Sequence, residues 1–142
     1  TLKERLGVAV ITPHPRELSR LCGQSVTKIQ ENRIATVRQL SQEWNVVLLL
    51  KGAYTVIGSP DAKIFINPTG NSALATAGSG DVLSGFIGGF LAQGLSPLHA
   101  TLTGAYLHGL AAECLIQKTD SNNIVASDLF EGLRLARNVI KA

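Results

Sequence analysis

The segment Asn67 to Gly85, NPTGNSALATAGSGDVLSG, constrains the fold more than any other part of the chain. It runs small, turn-forming residues straight into an apolar pattern of helical length, so a glycine-rich loop must open directly onto a helix. Gly78, Ser79 and Gly80 can bring backbone N–H groups close to an anion, and the following first turn adds its unpaired N–H groups and the positive end of its dipole. Asp81 is the one charged side chain in the segment. A carboxylate there repels a phosphate unless it has a task, such as accepting the proton of a hydroxyl that attacks a phosphoryl group. The alternative is an aspartate that caps the helix. Asn67, Pro68, Thr69, Gly70 and Asn71 form a second polar turn upstream, so two ligand-sized loops are expected to converge on one helix start.

Two common phosphate loops are excluded. A Walker A loop requires Lys where Asp81 stands, and a dinucleotide fingerprint requires Gly where Leu83 stands, with a strand leading into Gly78.

The rest of the chain alternates in period. Val8 to Ile11 reads as a buried strand, and Pro15 opens a short helix that stops near Gly23. Thr27 and Gln30 form a capping box for a longer helix with Ile34, Val37, Leu40 and Trp44 on one face. Val46 to Leu50 is the next strand, and Tyr54 to Ile57 and Lys63 to Ile66 flank Gly58, Ser59, Pro60 and Asp61 as a hairpin. Three helices follow: Val82 to Gln93, with Val82, Phe86, Ile87 and Phe90 on an apolar face; one from Ser96 and Pro97 to about Gln117; and one opened by Ser127 and Asp128. This order predicts an α/β layer structure with a helical cluster, a single domain over residues 1–142. Gly85, Gly88 and Gly89 each cost a helix interior about 1 kcal/mol relative to Ala. Close packing against another helix is the expected reason at Gly88 and Gly89, whereas Gly85 stands between packing and ligand contact.

His14 follows the first strand between two prolines. Ligands of open α/β sheets bind beyond the carboxyl ends of the strands, which favours a binding role, with a rigid structural turn as the alternative. Lys51 follows five apolar residues, and its charge is expected to reach a cleft. His99 and His108 lie in no loop motif and read as helix-surface or satisfied core residues. Charged residues make up only 16% and hydrophobic residues 45%. Against a usual charged share of about 25%, this implies extensive buried surface, some of it available to a partner. A scattered net charge of +3 gives no nucleic-acid footprint. The longest aliphatic run, Val46 to Leu50, is far short of the roughly 20 residues that span a bilayer. The N-terminus carries no secretory pattern, so a cytoplasmic domain with free thiols at Cys22 and Cys114 is expected.

GSGDVLSG resembles the signature of ribokinase-like proteins. Together with the upstream TPHPRE at Thr12 to Glu17 and KGAYT at Lys51 to Thr55, the pattern NPTGNSALATAGSGDVLSG resembles the ADP- or ATP-dependent NAD(P)H-hydrate dehydratases. The resemblance implies a ribokinase-like three-layer fold, of which this chain is the C-terminal portion: strands, a hairpin and a helical cluster. It implies that the chain works with a missing N-terminal half or as a homo-oligomer. It also implies that NADHX or NADPHX is the substrate, that ADP or ATP is the phosphoryl donor, and that Mg²⁺ takes part. His14 and Asp81 would contact the substrate, with Asp81 as catalytic base. Lys51, Gly52, Ala53, Tyr54, Thr55 and Gly80 would contact the nucleotide, Gly78, Ser79 and Gly80 would line an anion hole, and Glu17 would meet Mg²⁺ through water. A ribokinase-like small-molecule kinase and a non-catalytic half-domain are the alternatives. The family's usual glycines are replaced at Arg16, at Ala77 and within Asn71 to Leu74, which stiffens the loop without touching Asp81.

Overall fold

Strand β2, Val46–Leu50, is buried at every position, as a strand covered on both faces must be. The computed structural model describes residues 9–119 and 124–141. The chain divides into two compact units, Thr1–Asn67 with Ser96–Thr101 and Pro68–Leu95 with Leu102–Ala142. Val8, the expected start of the first strand, lies outside the described residues.

In the first unit β2 is flanked by β1, Ala9–Ile11, which pairs with it in parallel, and by β3, Val56–Gly58, which pairs antiparallel; β4, Ile64–Ile66, completes the order β1-β2-β3-β4. β3 and β4 are the expected hairpin. Its turn closes where the Ser59 N–H donates to the Lys63 carbonyl (3.1 Å) and that of Ala62 to the Ser59 carbonyl (3.0 Å). The connection from β1 to β2 holds α1, Pro15–Cys22, then α2, Val26–Glu31, and α3, Arg33–Trp44. Val37, Leu40 and Trp44 of α3 pack with Val46, Leu48, Leu50 and Val56 into the core, joined by Leu18 and Ile29. The backbones of α3 and β3 approach closely at Gly58, where an added Cβ would lie 2.7 Å from Val37 Cγ1.

The single long helix expected from Thr27 is two helices. Ser25, not Thr27, is the N-cap, its hydroxyl accepting from the Lys28 N–H (3.2 Å), and Asn32 leaves helical geometry at φ −130°, ψ 40°. Ile34, in the first turn of α3, is exposed rather than part of the buried face that Val37, Leu40 and Trp44 form.

The second unit is helical. A 3₁₀ turn at Ser72–Leu74 precedes α4, Ser79–Ala92; α5, Pro97–Thr119, enters the unit at Leu102, and α6 is Asp128–Lys141. Ala73, Ala111, Ala112, Leu115, Ile124 and Leu129 form its core. On α4, Leu83 joins Phe86 and Ile87 as a buried residue, while Val82 and Phe90 are half-buried.

The α4 glycines do not pack as expected. A Cβ at Gly85, Gly88 or Gly89 would meet nothing within 4 Å. The close approaches belong to α5 and α6. Gly104 lies against Ile87, Gly109 against Thr69, and Gly132 against the Ala111 carbonyl.

Candidate functional site

The carboxyl ends of the parallel strands β1 and β2 each run into a polar turn, and the Lys51 N–H donates to the Pro13 carbonyl (2.9 Å), joining the two. His14 stands at the N-cap of α1 in extended geometry, and its Nδ1 accepts from the Glu17 N–H (3.1 Å). Glu17 returns the contact by accepting from the His14 N–H at Oε2 (2.6 Å). This is a capping box with His in the place usually held by Ser or Thr. Because Nδ1 accepts, a neutral His14 carries its proton on Nε2, 3.4 Å from Glu17 Oε1. Glu17 Oε2 also lies 3.4 Å from Lys51 Nζ. The His14 backbone donor first, and then Lys51, hold the Glu17 carboxyl below its ordinary range. His14, Glu17 and Lys51 therefore form one cluster, and the structural-turn reading of His14 holds alongside any contact to a ligand.

Beyond Lys51 the chain turns sharply. Gly52 has φ 143°, and an added Cβ there would fall 3.0 Å from Arg33 Nη1. Tyr54 holds a left-handed φ of 53°, rare for an aromatic residue, and the residue is 75% exposed. Such strain gathers at ligand-binding turns. Thr55 Oγ1 donates to the Gly52 carbonyl (3.0 Å) and closes the turn. Arg33, which carried no sequence motif, braces it: Nη2 donates to the Leu50 carbonyl (3.0 Å), and partial burial lowers the guanidinium pKa.

In the second unit the glycine-rich segment does more than precede a helix. α4 begins at Ser79, three residues before the expected Val82, with Gly78 as N-cap at φ 84°. An added Cβ on Gly78 would also come within 3.2 Å of Ala126 Cβ, so both dihedral and space demand glycine. Of the three donors expected, the Ser79 N–H reaches the Thr76 carbonyl (3.3 Å), whereas those of Gly78 and Gly80 meet no acceptor among the described residues. Asp81 sits at the third helical position, exposed. It makes no cap hydrogen bond, and its carboxylate has no hydrogen-bond or ion-pair partner among the described residues. The capping alternative thus lacks the bond that would define it, and only a dipole contribution remains.

Both loops of this unit are fastened to α5. Thr69 Oγ1 donates to the Tyr106 carbonyl (2.8 Å), and the Gly70 N–H donates to Glu113 Oε1 (2.7 Å). His108 Nε2 lies 2.9 Å from the Ser79 carbonyl. His108 is buried, as the core reading expects, and burial pushes its pKa down against the opposing pull of that carbonyl. His99 is exposed beside Ser96 (2.9 Å). Both cysteines are free.

Among the described residues no three His, Cys, Asp or Glu side chains group as a cation site. Each Glu17 oxygen already faces a protein donor, so these residues build no direct Mg²⁺ site.

The fold is that of an α/β protein of the ribokinase-like class. Consistent with this, the chain superposes on a ribokinase-like superfamily protein from Enterococcus faecalis with TM-score 0.73 and 33% identity, covering 93% of this chain and 44% of that one. The NAD(P)H-hydrate dehydratase family profile matches residues 2–134, and the chain belongs to that family. It is 50% identical over 127 residues to the bifunctional NAD(P)H-hydrate repair enzyme Nnr of Moorella thermoacetica, covering 89% of this chain and 24% of that protein. The crystal structure of the ADP/ATP-dependent NAD(P)H-hydrate dehydratase of Bacillus subtilis, co-crystallised with ATP/Mg²⁺, matches with TM-score 0.89 and 38% identity over 96% of this chain. The chain spans 49% of that dehydratase.

Proposed function

We propose that this chain supplies the C-terminal half of a nucleotide-dependent NAD(P)H-hydrate dehydratase, which returns NADHX or NADPHX to NADH or NADPH. The observation that carries this reading is Asp81: a carboxylate left without a protein partner, next to the open N–H groups of Gly78 and Gly80 at a helix start. A catalytic base needs a free lone pair, and a developing phosphoryl charge needs preorganised donors.

Asp81 takes the proton from the ring hydroxyl as its oxygen attacks the terminal phosphorus of ADP or ATP, and the bond to the nucleotide's bridging oxygen breaks. The ring C–O electron pair then leaves with phosphate, a neighbouring ring carbon gives its proton to water, and the double bond returns. The open N–H groups of Gly78 and Gly80 stabilise the phosphoryl oxygens, while Ser79, whose N–H is held by the Thr76 carbonyl, keeps the turn in shape. Lys51 to Thr55 contact the nucleotide, where the exposed Tyr54 ring offers a face to a planar base. His14 offers its Nε2–H to the nicotinamide substrate. Mg²⁺ would be held chiefly by the nucleotide phosphates, with Glu17 reaching it through water, and would offset charge on the transferred phosphoryl group. The partner expected is the rest of the domain or another copy of the chain, a reading supported by the exposed Gly88 and Gly89 and by exposed Phe130, Val139 and Ile140. A cytoplasmic setting accords with nicotinamide repair; among the described residues no helix is long and apolar enough to cross a membrane.

The test is recovery of reduced-nicotinamide absorbance from NADHX with ADP or ATP, for the chain alone and with a relative's N-terminal half. Nucleotide-dependent recovery that Asp81→Asn abolishes supports the proposal. Accumulation of a phosphorylated product without recovery would instead identify a kinase.

A further inference from the structure

Two successive turns of α5 carry four contacts that converge on the loops before α4. Thr69 Oγ1 meets the Tyr106 carbonyl, the Gly70 N–H meets Glu113, and His108 meets the Ser79 carbonyl. Gly109 has no side chain where the Thr69 backbone lies; a Cβ there would fall 2.7 Å from the Thr69 carbonyl oxygen. His108 is only 7% exposed and meets the Phe86 ring edge-on at 6.0 Å between centroids.

A leucine of similar volume would fill that space without the cost of burying an imidazole, so the polar atom needs a use. The Ser79 carbonyl can only accept, which places the proton on His108 Nε2 and aims it at the first turn of α4. Asp81 lies two residues further on, its N–H donating to the Gly78 carbonyl (3.0 Å), so whatever holds Ser79 also sets Asp81. Glu113 does the same for the upstream loop, where Gly70 cannot leave α5 without giving up a charge-assisted hydrogen bond.

We infer that His108, Gly109 and Glu113, the HGLAAE segment of α5, are positioning residues that hold the Thr69–Gly70 turn and the Gly78–Asp81 turn in reactive register. The functional sense of this inference rests on the dehydratase reading; the holding itself does not. Misplacing a catalytic group by about 1 Å can cost roughly 100-fold in rate, which gives a buried histidine with no direct part in the chemistry a measurable effect.

Amide hydrogen exchange in the ligand-free chain tests the holding. His108→Leu is expected to speed exchange at Asp81 and Val82 about fivefold to tenfold, the loss of roughly one hydrogen bond, while β2 amides stay unchanged. His108→Gln keeps a donor and is expected to stay within about twofold of wild type. Glu113→Ala exposes the Gly70 amide, and Glu113→Gln restores its protection. In the chain completed by a relative's N-terminal half, His108→Leu lowers kcat with little change in nucleotide KM, and His108→Gln recovers most of it. Unchanged exchange in both His108→Leu and Glu113→Ala, or equal losses in His108→Leu and His108→Gln, would overturn the inference. If His108→Leu does not fold, the glutamine variant and the Glu113 pair decide. A wild-type protein without dehydratase activity would count against the functional reading, and the exchange data would still decide whether α5 holds the loops.

Discussion

Replacing Gly104 or Gly88 by Ala makes the same chemical change on helices of one unit, and the two are expected to move stability in opposite directions. Helix propensity favours Ala by about 1 kcal/mol at either position. At Gly88, exposed on α4, the new methyl group meets nothing within 4 Å, so most of that gain survives and the unit becomes more stable by about 0.5 to 1 kcal/mol. At Gly104 the Cβ falls 2.7 Å from Ile87 Cγ1, 3.2 Å from its N and 3.3 Å from its Cα. The side-chain atom can swing aside, but the backbone cannot, so α4 and α5 must separate by several tenths of an ångström. Overpacking of this kind costs about 1 to 3 kcal/mol. Because backbone atoms of Ile87 are in the clash, the cost lies in the upper part of that range, about 2 to 3 kcal/mol; less the helix gain of about 1 kcal/mol, the net effect at Gly104 is destabilisation by about 1 to 2 kcal/mol, a fall in Tm of about 3 to 8 °C for a chain of this size. Urea unfolding followed by far-ultraviolet circular dichroism measures both variants. A Gly104→Ala protein as stable as wild type would refute the close packing of α5 on α4, and a Gly88→Ala protein less stable than wild type would refute the open face of α4.

Other outcomes follow from the same contacts. The Glu17 carboxyl titrates below its ordinary 4.5, so its ionised form adds stability that is present above about pH 4.5 and lost as pH falls through the folded-state value; Glu17→Gln is expected to flatten the acid limb of a Tm-against-pH profile. Burial lowers His108 below 6.5, so stability is full above about pH 6.5 and erodes as pH falls toward the folded value; His108→Gln removes that slope, and a profile unchanged by the substitution would contradict the burial. Gly78→Ala must hold a left-handed φ against Ala126 and is expected to cost about 1 to 2 kcal/mol, readable by urea unfolding.

The sequence carried the strands and the helix ends where a local rule had no rival. Five aliphatic residues made β2, Pro15 and Gly23 bounded α1, and Ser59 to Asp61 turned the hairpin. It carried less where two local rules competed. Ser25 and Thr27 both offer caps, and Ser25 holds the bond to the Lys28 N–H; α2 then ends at Asn32, a break that no Pro or Gly announces. The glycines of α4 and α5 give the same signal, and only tertiary contact reveals that Gly104 packs while Gly88 stands open. At the site, the His14 cap was legible in hindsight from a Glu three residues later with Pro15 between them. His108 sits on a buried stripe with Gly104, Ala111 and Leu115 at helical spacing. That stripe shows a histidine facing inward but not the carbonyl it meets.

The most direct test of the proposed role of Asp81 is the stoichiometry of inorganic phosphate released to reduced nicotinamide formed. The measurement uses NADHX and ADP or ATP, with the chain completed by a relative's N-terminal half, for wild type and Asp81→Asn. One phosphate per NADH is expected, with both products falling about 100-fold or more in the variant, as loss of a general base predicts. Wild-type rates in Asp81→Asn, or phosphate release without NADH, would contradict Asp81 as the base of a nucleotide-driven dehydration.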